Sequence, residues 1–303
     1  MTIKHIVISG GGPTGLLSYG AIRYLAKQKY WEFDNIETIY GTSIGAILAV
    51  VISLNYNWDI LDDYVIKRPW EKVIEVKPGD FIESFSSKGV LSSSIIEIMV
   101  QPLLEAKEVS MDITLKEFYD FNNIEIHMYS AELHTFKKID ISYKTHPDLK
   151  LLTALKMTSA FPVMFPPIFY EGGCYIDGGV MNNYPIIDCL NQTKCSKDEV
   201  LGFHNYWEKY KERITEESSI LEFSLYLAKQ MVRRIDESEH NDKTPSIPNE
   251  VTCIAENNDE YDKWLDALIK SENRTRLINR GETYGIMFYN YKKNLESSMQ
   301  ELL

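Results

Sequence analysis

One short stretch, Gly41-Thr42-Ser43-Ile44-Gly45, constrains the fold of this 303-residue chain more than any other. Residues 38–40 have the apolar character of the end of a strand, and residues 44–52 are apolar all round, as in a helix buried inside a domain. A strand, a tight turn and a helix are the context that the G-x-S-x-G nucleophile elbow requires. Glycines two residues either side of Ser43 relieve the crowding of such a turn. Because so short a motif also occurs by chance, its meaning depends on the rest of the chain.

A second glycine-rich turn follows the first predicted strand, which covers residues 3–9. Gly10-Gly11-Gly12-Pro13-Thr14-Gly15 joins that strand to a helix predicted over residues 16–29. Two functions fit this turn. The glycines Gly10, Gly12 and Gly15 match the G-x-G-x-x-G fingerprint of dinucleotide-binding proteins. The exposed N–H groups of such a loop also hold an oxyanion, as a serine hydrolase requires.

The acidic residues downstream favour the second of these functions. A dinucleotide site needs an acidic side chain about 20 positions after the fingerprint, at the end of the second strand. The candidates here are Glu32, Asp34 and Glu37, and all three precede the second predicted strand. That strand ends in the serine turn instead. We therefore favour an oxyanion loop and keep nucleotide binding at residues 10–15 as the alternative.

A third motif lies much later, at Asp177-Gly178-Gly179, directly after a short predicted strand. A proline-bracketed apolar loop, residues 159–167, precedes it. An aspartate before two glycines sits on a tight turn that other backbone segments can approach closely. Asp-Gly is also a common turn pair, so this motif alone indicates a turn as readily as a catalytic residue.

Hydrophobic periodicity predicts the remaining elements, and no linker or repeat divides them, so we expect one domain over residues 1–303. The part beyond residue 259 is predicted as largely helical, with a break near Gly281 and Gly285. A helix over residues 218–239 carries an apolar stripe at Ile220, Phe223, Leu227, Met231 and Ile235. The other predicted helices cover residues 58–66, 91–104, 114–121 and 151–159, and the other strands cover residues 125–133, 137–143, 200–206 and 250–255.

Composition excludes several classes of protein. Hydrophobic residues make up 44% of the chain, but no run approaches the roughly 18 residues that span a bilayer. The N-terminus lacks the pattern of a secretory signal, and the four cysteines have no C-x-x-C spacing, so we expect a cytoplasmic protein without disulfides or zinc. A net charge of −12 argues against nucleic acid as a partner and against strong adsorption to anionic lipid. No ligand cluster indicates a metal or other cofactor.

With its three motifs in this order, the chain resembles the patatin-like phospholipases. That family is marked by a glycine-rich oxyanion loop, a serine elbow and a D-G-[AG] motif, which match residues 10–15, 41–45 and 177–179. Ser159-Ala160-Phe161-Pro162 before the aspartate and Asn183-x-Pro185 after it agree as well. The resemblance covers residues 1 to about 210, with the family motifs within residues 5–210. Residues 211–303 are expected to form a mainly helical part that completes the fold.

The resemblance implies a three-layer α/β/α sandwich with a central, mostly parallel sheet. It also implies a Ser–Asp dyad, with Ser43 as the nucleophile and Asp177 as the base. The implied oxyanion hole consists of N–H groups of Gly10, Gly11, Gly12 and Ile44, and the motif glycines are Gly15, Gly41, Gly45, Gly178 and Gly179. Since a carboxyl with a pKa near 3.9 is a poor base for a hydroxyl, we expect burial to raise the pKa of Asp177 and a direct hydrogen bond to Ser43.

The expected activity is hydrolysis of carboxyl esters in phospholipids or related acylglycerols through an acyl-enzyme. The expected partner is the lipid substrate, with peripheral contact to membranes left open. Thr14 stands where family members usually carry Arg or Lys, which predicts weaker binding of anionic head groups or altered anchoring of the loop. Besides nucleotide binding, two alternatives remain: an α/β-hydrolase with His204 or His240 as base, and a catalytically silent lipid-binding relative.

Overall fold

The structure, a computed structural model, describes residues 2–72, 88–207, 214–243, 245–255 and 269–300. The strands are β1 (His5–Ile8), β2 (Thr38–Thr42), β3 (Glu125–Glu132), β4 (Lys137–Ile141), β5 (Ile168–Tyr170), β6 (Gly173–Asp177), β7 (Val200–Trp207) and β8 (Glu250–Ala255). The helices are α1 (Gly15–Lys27), α2 (Ile44–Ser53), α3 (Trp58–Asp62), α4 (Ser94–Glu105), α5 (Leu115–Asn122), α6 (Leu151–Thr158), α7 (Ile186–Thr193), α8 (Ile220–Lys243) and α9 (Ser271–Gln300).

These strands form one mixed, mostly parallel sheet in the order β5-β6-β3-β2-β1-β7-β8, and β4 pairs with β3. Strands β3, β2, β1, β7 and β8 run parallel to one another. Strands β4, β5 and β6 form the antiparallel side of the sheet. Helices flank this sheet, which confirms the predicted fold class.

Side chains of each strand alternate between the two faces of the sheet and so build two apolar layers. On β1, Ile6 and Ile8 belong to the large core that includes residues of α1, α2, α4, α6 and α9. Val7, between them, packs in a smaller cluster with Ile186 and Cys189 of α7 on the other face. The fold therefore has three layers: the helices of the large core on one face, the sheet in the middle, and α7 on the opposite face.

Helix α9 is continuous through Gly281 and Gly285, so the predicted break there is wrong. A Cβ atom at Gly281 would lie 1.9 Å from the carbonyl oxygen of Leu17, and one at Gly20 would lie 2.1 Å from that of Ile278. These glycines let α9 lie directly against the backbone of α1. Gly281 has the appearance of a helix breaker in the sequence because its partner, Leu17, is more than 250 residues away in the chain.

Other predicted elements differ less from the structure. The helix predicted over residues 58–66 is α-helical only to Asp62, and Asp63–Lys67 forms a π-helical turn. Helix α7 and strand β5 are not indicated by the hydrophobic periodicity of the sequence. In the described part of the chain, no helix has both the length and the apolar character needed to cross a membrane.

Candidate active site

Strand β3 brings the serine turn and the late aspartate together. Its first five residues pair with β2, and Thr42, the last residue of β2, lies opposite Tyr129. The next position, Ser130, lies opposite Asp177 at the end of antiparallel β6. Since β4 occupies the other edge of β3 at these positions, β2 and β6 share one edge and run toward each other. Their ends, at Ser43 and Asp177, therefore meet.

Ser43 occupies the strained turn that the motif predicts. Its φ of 55° and ψ of −122° lie outside the regions that residues with a side chain favour, and such strain persists only where the surroundings hold it. A Cβ atom at Gly45 would lie 2.3 Å from the carbonyl oxygen of Ile8, and one at Gly41 would lie 2.5 Å from the carbonyl carbon of Gly45. Both glycines are thus required by close approach of the backbone, while Ser43 itself stays partly accessible.

The turn is held from α6 by Thr158, which no sequence motif marks. The N–H of Ser43 donates to Thr158 Oγ1 over 3.0 Å, and the Thr158 hydroxyl donates to the carbonyl of Tyr129. Thr158 is fully buried. It therefore connects the turn at Ser43 to β3 without access to water.

Asp177 is buried, and its carboxylate accepts a hydrogen bond from the backbone of the turn that follows it. The N–H of Gly179 donates to Oδ1 over 2.7 Å, and strand pairing brings the turn at Ser43 up to the same carboxylate. Burial raises the pKa of Asp177 from 3.8 to about 6, and the hydrogen bonds from Ser43 and Gly179 partly oppose that rise. The predicted nucleophile and base thus lie at adjoining strand ends, and burial brings the pKa of the carboxyl toward neutral pH.

The glycine loop lies against the serine turn. A Cβ atom at Gly15 would lie 2.3 Å from Ile44 Cγ1, and one at Gly10 would lie 3.5 Å from the Cβ of Ser43. Gly11 and Gly12 have φ values of 146° and 57°, which favour glycine. This loop therefore contacts the same turn that carries the candidate nucleophile.

The predicted oxyanion donors differ in their availability. The N–H of Gly10 donates to the carbonyl of Asn183 over 3.0 Å, so Gly10 does not fit its predicted place among the donors. Gly12 and Ile44 are the first residues of a 3-10 turn and of α2, and first-turn N–H groups have no partner within their own helix. The N–H of Gly11, which precedes that turn, completes the set of predicted donors.

Neutral side chains anchor the glycine loop. Thr14 is buried and its hydroxyl donates to the carbonyl of Gly11 over 2.8 Å. Asn205, at the carboxyl end of β7, donates from Nδ2 to the carbonyl of Gly10 over 3.3 Å and accepts at Oδ1 from Ser18 over 3.1 Å. Thr14 therefore takes part in anchoring the loop, at a buried position where the family usually has Arg or Lys.

The segment after Asp177 ties the two motif loops together. Thr42 Oγ1 donates to the carbonyl of Asn182 over 2.7 Å, and the N–H of Gly10 binds the neighbouring carbonyl of Asn183. Gly178 fits against β3, because a Cβ atom there would lie 2.1 Å from the carbonyl oxygen of Tyr129. Polar residues at the ends of strands mark this region in the sequence. The sequence does not show which residues they bind, because that depends on how the strands pair.

The histidines proposed as alternative bases occupy other surroundings. The ring of His204 stacks on Tyr184 with 4.6 Å between ring centroids, and Tyr184 belongs to the cluster beneath α7. Asn205, the next residue along β7, points to the opposite face, toward the glycine loop. The side chain of His240 lies outside the described residues. Within the described part of the chain, no group of three or more His, Cys, Asp or Glu side chains is arranged to hold a metal ion.

The chain is similar to several known proteins. The sequence model of the patatin-like phospholipases matches residues 6–190. The chain is similar to the probable lipid hydrolase 463L of Invertebrate iridescent virus 6, with 26% identity over 218 residues, which make up 70% of this chain and 73% of that protein. It is also similar to the uncharacterized protein R571 of Acanthamoeba polyphaga mimivirus, with 23% identity over 61% of this chain and 60% of that protein.

Among solved structures, VipD from Legionella pneumophila has a similar fold. The TM-score is 0.55 with 14% sequence identity, over 96% of this chain and 67% of that chain. At that identity the likeness concerns the fold alone.

Proposed function

Because the chain belongs to the patatin-like phospholipase family, we propose that it hydrolyses carboxyl esters of lipids, with Ser43 as nucleophile and Asp177 as general base. The family match and the iridescent virus relative support a lipid hydrolase. The observation that carries the finer proposal is that β3 brings the Ser43 turn to the buried Asp177 carboxyl, whose pKa is raised to about 6. A carboxylate of that basicity is matched to accepting a hydroxyl proton near neutral pH.

The proposed reaction has two halves. Ser43 Oγ attacks the ester carbonyl carbon while its proton passes to the Asp177 carboxylate. The tetrahedral intermediate then collapses, and the leaving alcohol takes that proton from Asp177, which leaves an acyl group on Ser43. A water molecule attacks the acyl-enzyme and gives its proton to Asp177. Ser43 Oγ leaves with this proton, and the carboxylic acid is released.

The N–H groups of Gly11, Gly12 and Ile44 are proposed to hold the negative oxygen of both tetrahedral intermediates. The contact between the glycine loop and the serine turn supports this role, as does the position of Gly12 and Ile44 at the first turns of their helices. The Ser43 N–H is excluded from the set, because it donates to Thr158. Nucleotide binding at residues 10–15 is disfavoured, because the same loop packs on Ile44.

We also propose that residues 1–303 act as one domain. Residues beyond 210 supply β8, which pairs with β7, and α9, whose Gly281 lies against Leu17 of α1. The site and the C-terminal part thus share a sheet and a core.

Hydrolysis of phospholipids and neutral acylglycerols by purified variants tests the function. We expect Ser43→Ala and Asp177→Asn to lose this hydrolytic activity and His204→Ala to retain it. Ser53→Ala is the matched control for Ser43→Ala, because Ser53 is a buried serine at the far end of α2, the helix that begins directly after Ser43. Equal activity in the parent and in the Ser43 and Asp177 variants would contradict the mechanism, and loss in His204→Ala alone would favour a histidine base. An inactive parent that binds lipid would indicate a silent relative, and a thermal shift with NAD would indicate a nucleotide site.

A further inference from the structure

A pocket of about 330 Å³ lies at the carboxyl ends of α1 and α2. Ala26, in the last turn of α1, and Ile52, in the last turn of α2, are part of its lining. Ser43 directly precedes α2, and the 10 residues of that helix span about 15 Å. The pocket is therefore separate from the candidate active site, and its volume is in the range of pockets that bind small molecules.

Aromatic side chains form much of the lining, namely Trp31, Phe33, Tyr56 and Trp58. The rings of Trp31 and Trp58 stand almost at right angles, with an interplanar angle of 89° and 6.3 Å between their centroids. Trp31 donates from Nε1 to the carbonyl of Ile22, and the Tyr56 hydroxyl donates to the carbonyl of Leu103. Because these polar groups are bound within the protein, both side chains offer the pocket their aromatic surface.

Two carboxylates give the pocket a negative charge. Glu32 and Asp34 are part of the lining, both are exposed, and neither forms an ion pair within the described part of the chain. Of the described residues that line the pocket, none is basic. The carboxyl ends of α1 and α2 add the negative ends of two helix dipoles. The electrostatics of the pocket thus favour a positively charged ligand.

A lysine beside the pocket shows how these groups bind an ammonium ion. Nζ of Lys107 lies 4.5 Å from the centroid of the Tyr56 ring and donates to the carbonyl of Asn55 over 3.3 Å. Asn55 follows the last turn of α2 and lines the pocket, whereas Lys107 is not part of the lining. An aromatic ring and a carbonyl at the end of α2 therefore hold a cation together here. Inside the pocket the same kinds of group are joined by two carboxylates.

We propose that this pocket binds a small quaternary ammonium ion. Its methyl groups lie against the aromatic side chains, and Glu32 and Asp34 supply the opposite charge. Aromatic surface of this kind favours a methylated ammonium ion over a metal ion, which requires oxygen ligands in place of its water. The inference goes beyond the proposed function, because no lining residue belongs to the candidate active site.

Calorimetric titration with choline tests this site, with 3,3-dimethylbutan-1-ol as a neutral molecule of the same shape. We expect the full chain to bind choline and to bind the neutral alcohol at least about tenfold more weakly. Removal of the charge in Glu32→Gln or Asp34→Asn is expected to weaken choline binding about fivefold each. Phe33→Leu should weaken it about threefold, because leucine fills the space without an aromatic face.

Two further variants control for charge. Glu171→Gln removes an exposed carboxylate in the turn between β5 and β6, outside the lining, and is expected to bind choline as the parent does. Lys107→Met removes the ammonium group beside Tyr56 and is expected to bind choline at least as tightly as the parent. Weaker binding by either variant would contradict the assigned site.

Absence of saturable choline binding by the parent, equal affinity for the neutral alcohol, or parent affinity in Glu32→Gln and Asp34→Asn would overturn this inference. Ser43→Ala is expected to bind choline as the parent does, so the site and the proposed hydrolysis stand or fall separately. In that variant, competition by phosphatidylcholine vesicles would assign the pocket to the head group of a lipid. Choline binding without such competition would assign it to a free quaternary ammonium ion.

Discussion

The hydroxyl of Thr158 accepts the backbone N–H of Ser43 over 3.0 Å and donates to the carbonyl of Tyr129. It thereby binds the turn that carries the proposed nucleophile to the strand that aligns Asp177 with it. Thr158 touches no reacting atom in the proposed mechanism. Its role is to position Ser43, whose backbone is strained.

Thr158→Val is expected to destabilise the protein and to lower kcat more than it changes KM. Valine keeps the shape but removes the hydroxyl partner of the part-buried Ser43 N–H and of the Tyr129 carbonyl, at about 1–3 kcal/mol in total. Urea unfolding and steady-state kinetics on a soluble ester measure the two effects. Thr158→Ser restores the hydroxyl and should recover most of kcat, and a valine variant with parent kinetics would exclude the positioning role.

Thr14→Lys is expected to reduce both stability and activity, although it restores the charge that the family usually has. Thr14 is buried and its hydroxyl holds the Gly11 carbonyl, so an ammonium group would lose its water and the loop its anchor. Burial of an unpaired charge costs several kcal/mol. Thermal unfolding and hydrolysis of anionic and neutral lipids measure the outcome. Higher activity of Thr14→Lys on anionic lipids would show that this anchor is replaceable.

The pH dependence of kcat/KM should follow the ionisation of Asp177. The proposed base must be deprotonated, and burial raises its pKa to about 6. Activity on a neutral soluble ester is therefore expected to rise through about pH 6 and to level off above it. A profile that rises near pH 4 instead would mean that the carboxyl is not desolvated in the free enzyme.

Asp177→Asn is expected to stabilise the protein above pH 6 while it removes activity. The folded-state pKa is raised from 3.8 to about 6, so the stability contribution of Asp177 is fully present below pH 3.8 and is lost as the pH rises through about 6. At pH 8 the buried carboxylate thus costs up to about 3 kcal/mol. Chemical unfolding at pH 8 should show a gain for Asp177→Asn that shrinks at pH 4, and a loss at pH 8 would contradict this prediction.

Local contacts explain what the sequence predicts well. Gly41 and Gly45 must be glycines, because backbone of the same turn and of the end of β1 lies too close to leave room for a side chain. A short motif is therefore enough to predict this turn. Most predicted elements lie within a few residues of the observed ones, because hydrophobic period and turn residues set their limits. Asp177 was found through its motif, but its contact with Ser43 depends on the pairing of β2 and β6 with β3.

Distant contacts explain what the sequence does not predict. Thr158 and Asn205 have partners 115 and 195 residues away, and nothing near them in the chain indicates those partners. Gly281 has the appearance of a break because its partner, Leu17, lies in α1. Periodicity predicts α8 but does not show that Phe223 and Leu227 of the predicted stripe are exposed while Leu225 is buried.

The central claim is that Ser43, activated by Asp177 without a histidine, forms the covalent intermediate. Reaction with an alkyl fluorophosphonate, followed by peptide mapping with mass spectrometry, tests this directly, because such reagents label activated serines. We expect the label on Ser43, at least about 100-fold slower labelling in Asp177→Asn, and the parent rate in His204→Ala. A label on another residue, or slow labelling in His204→Ala with the parent rate in Asp177→Asn, would contradict the claim.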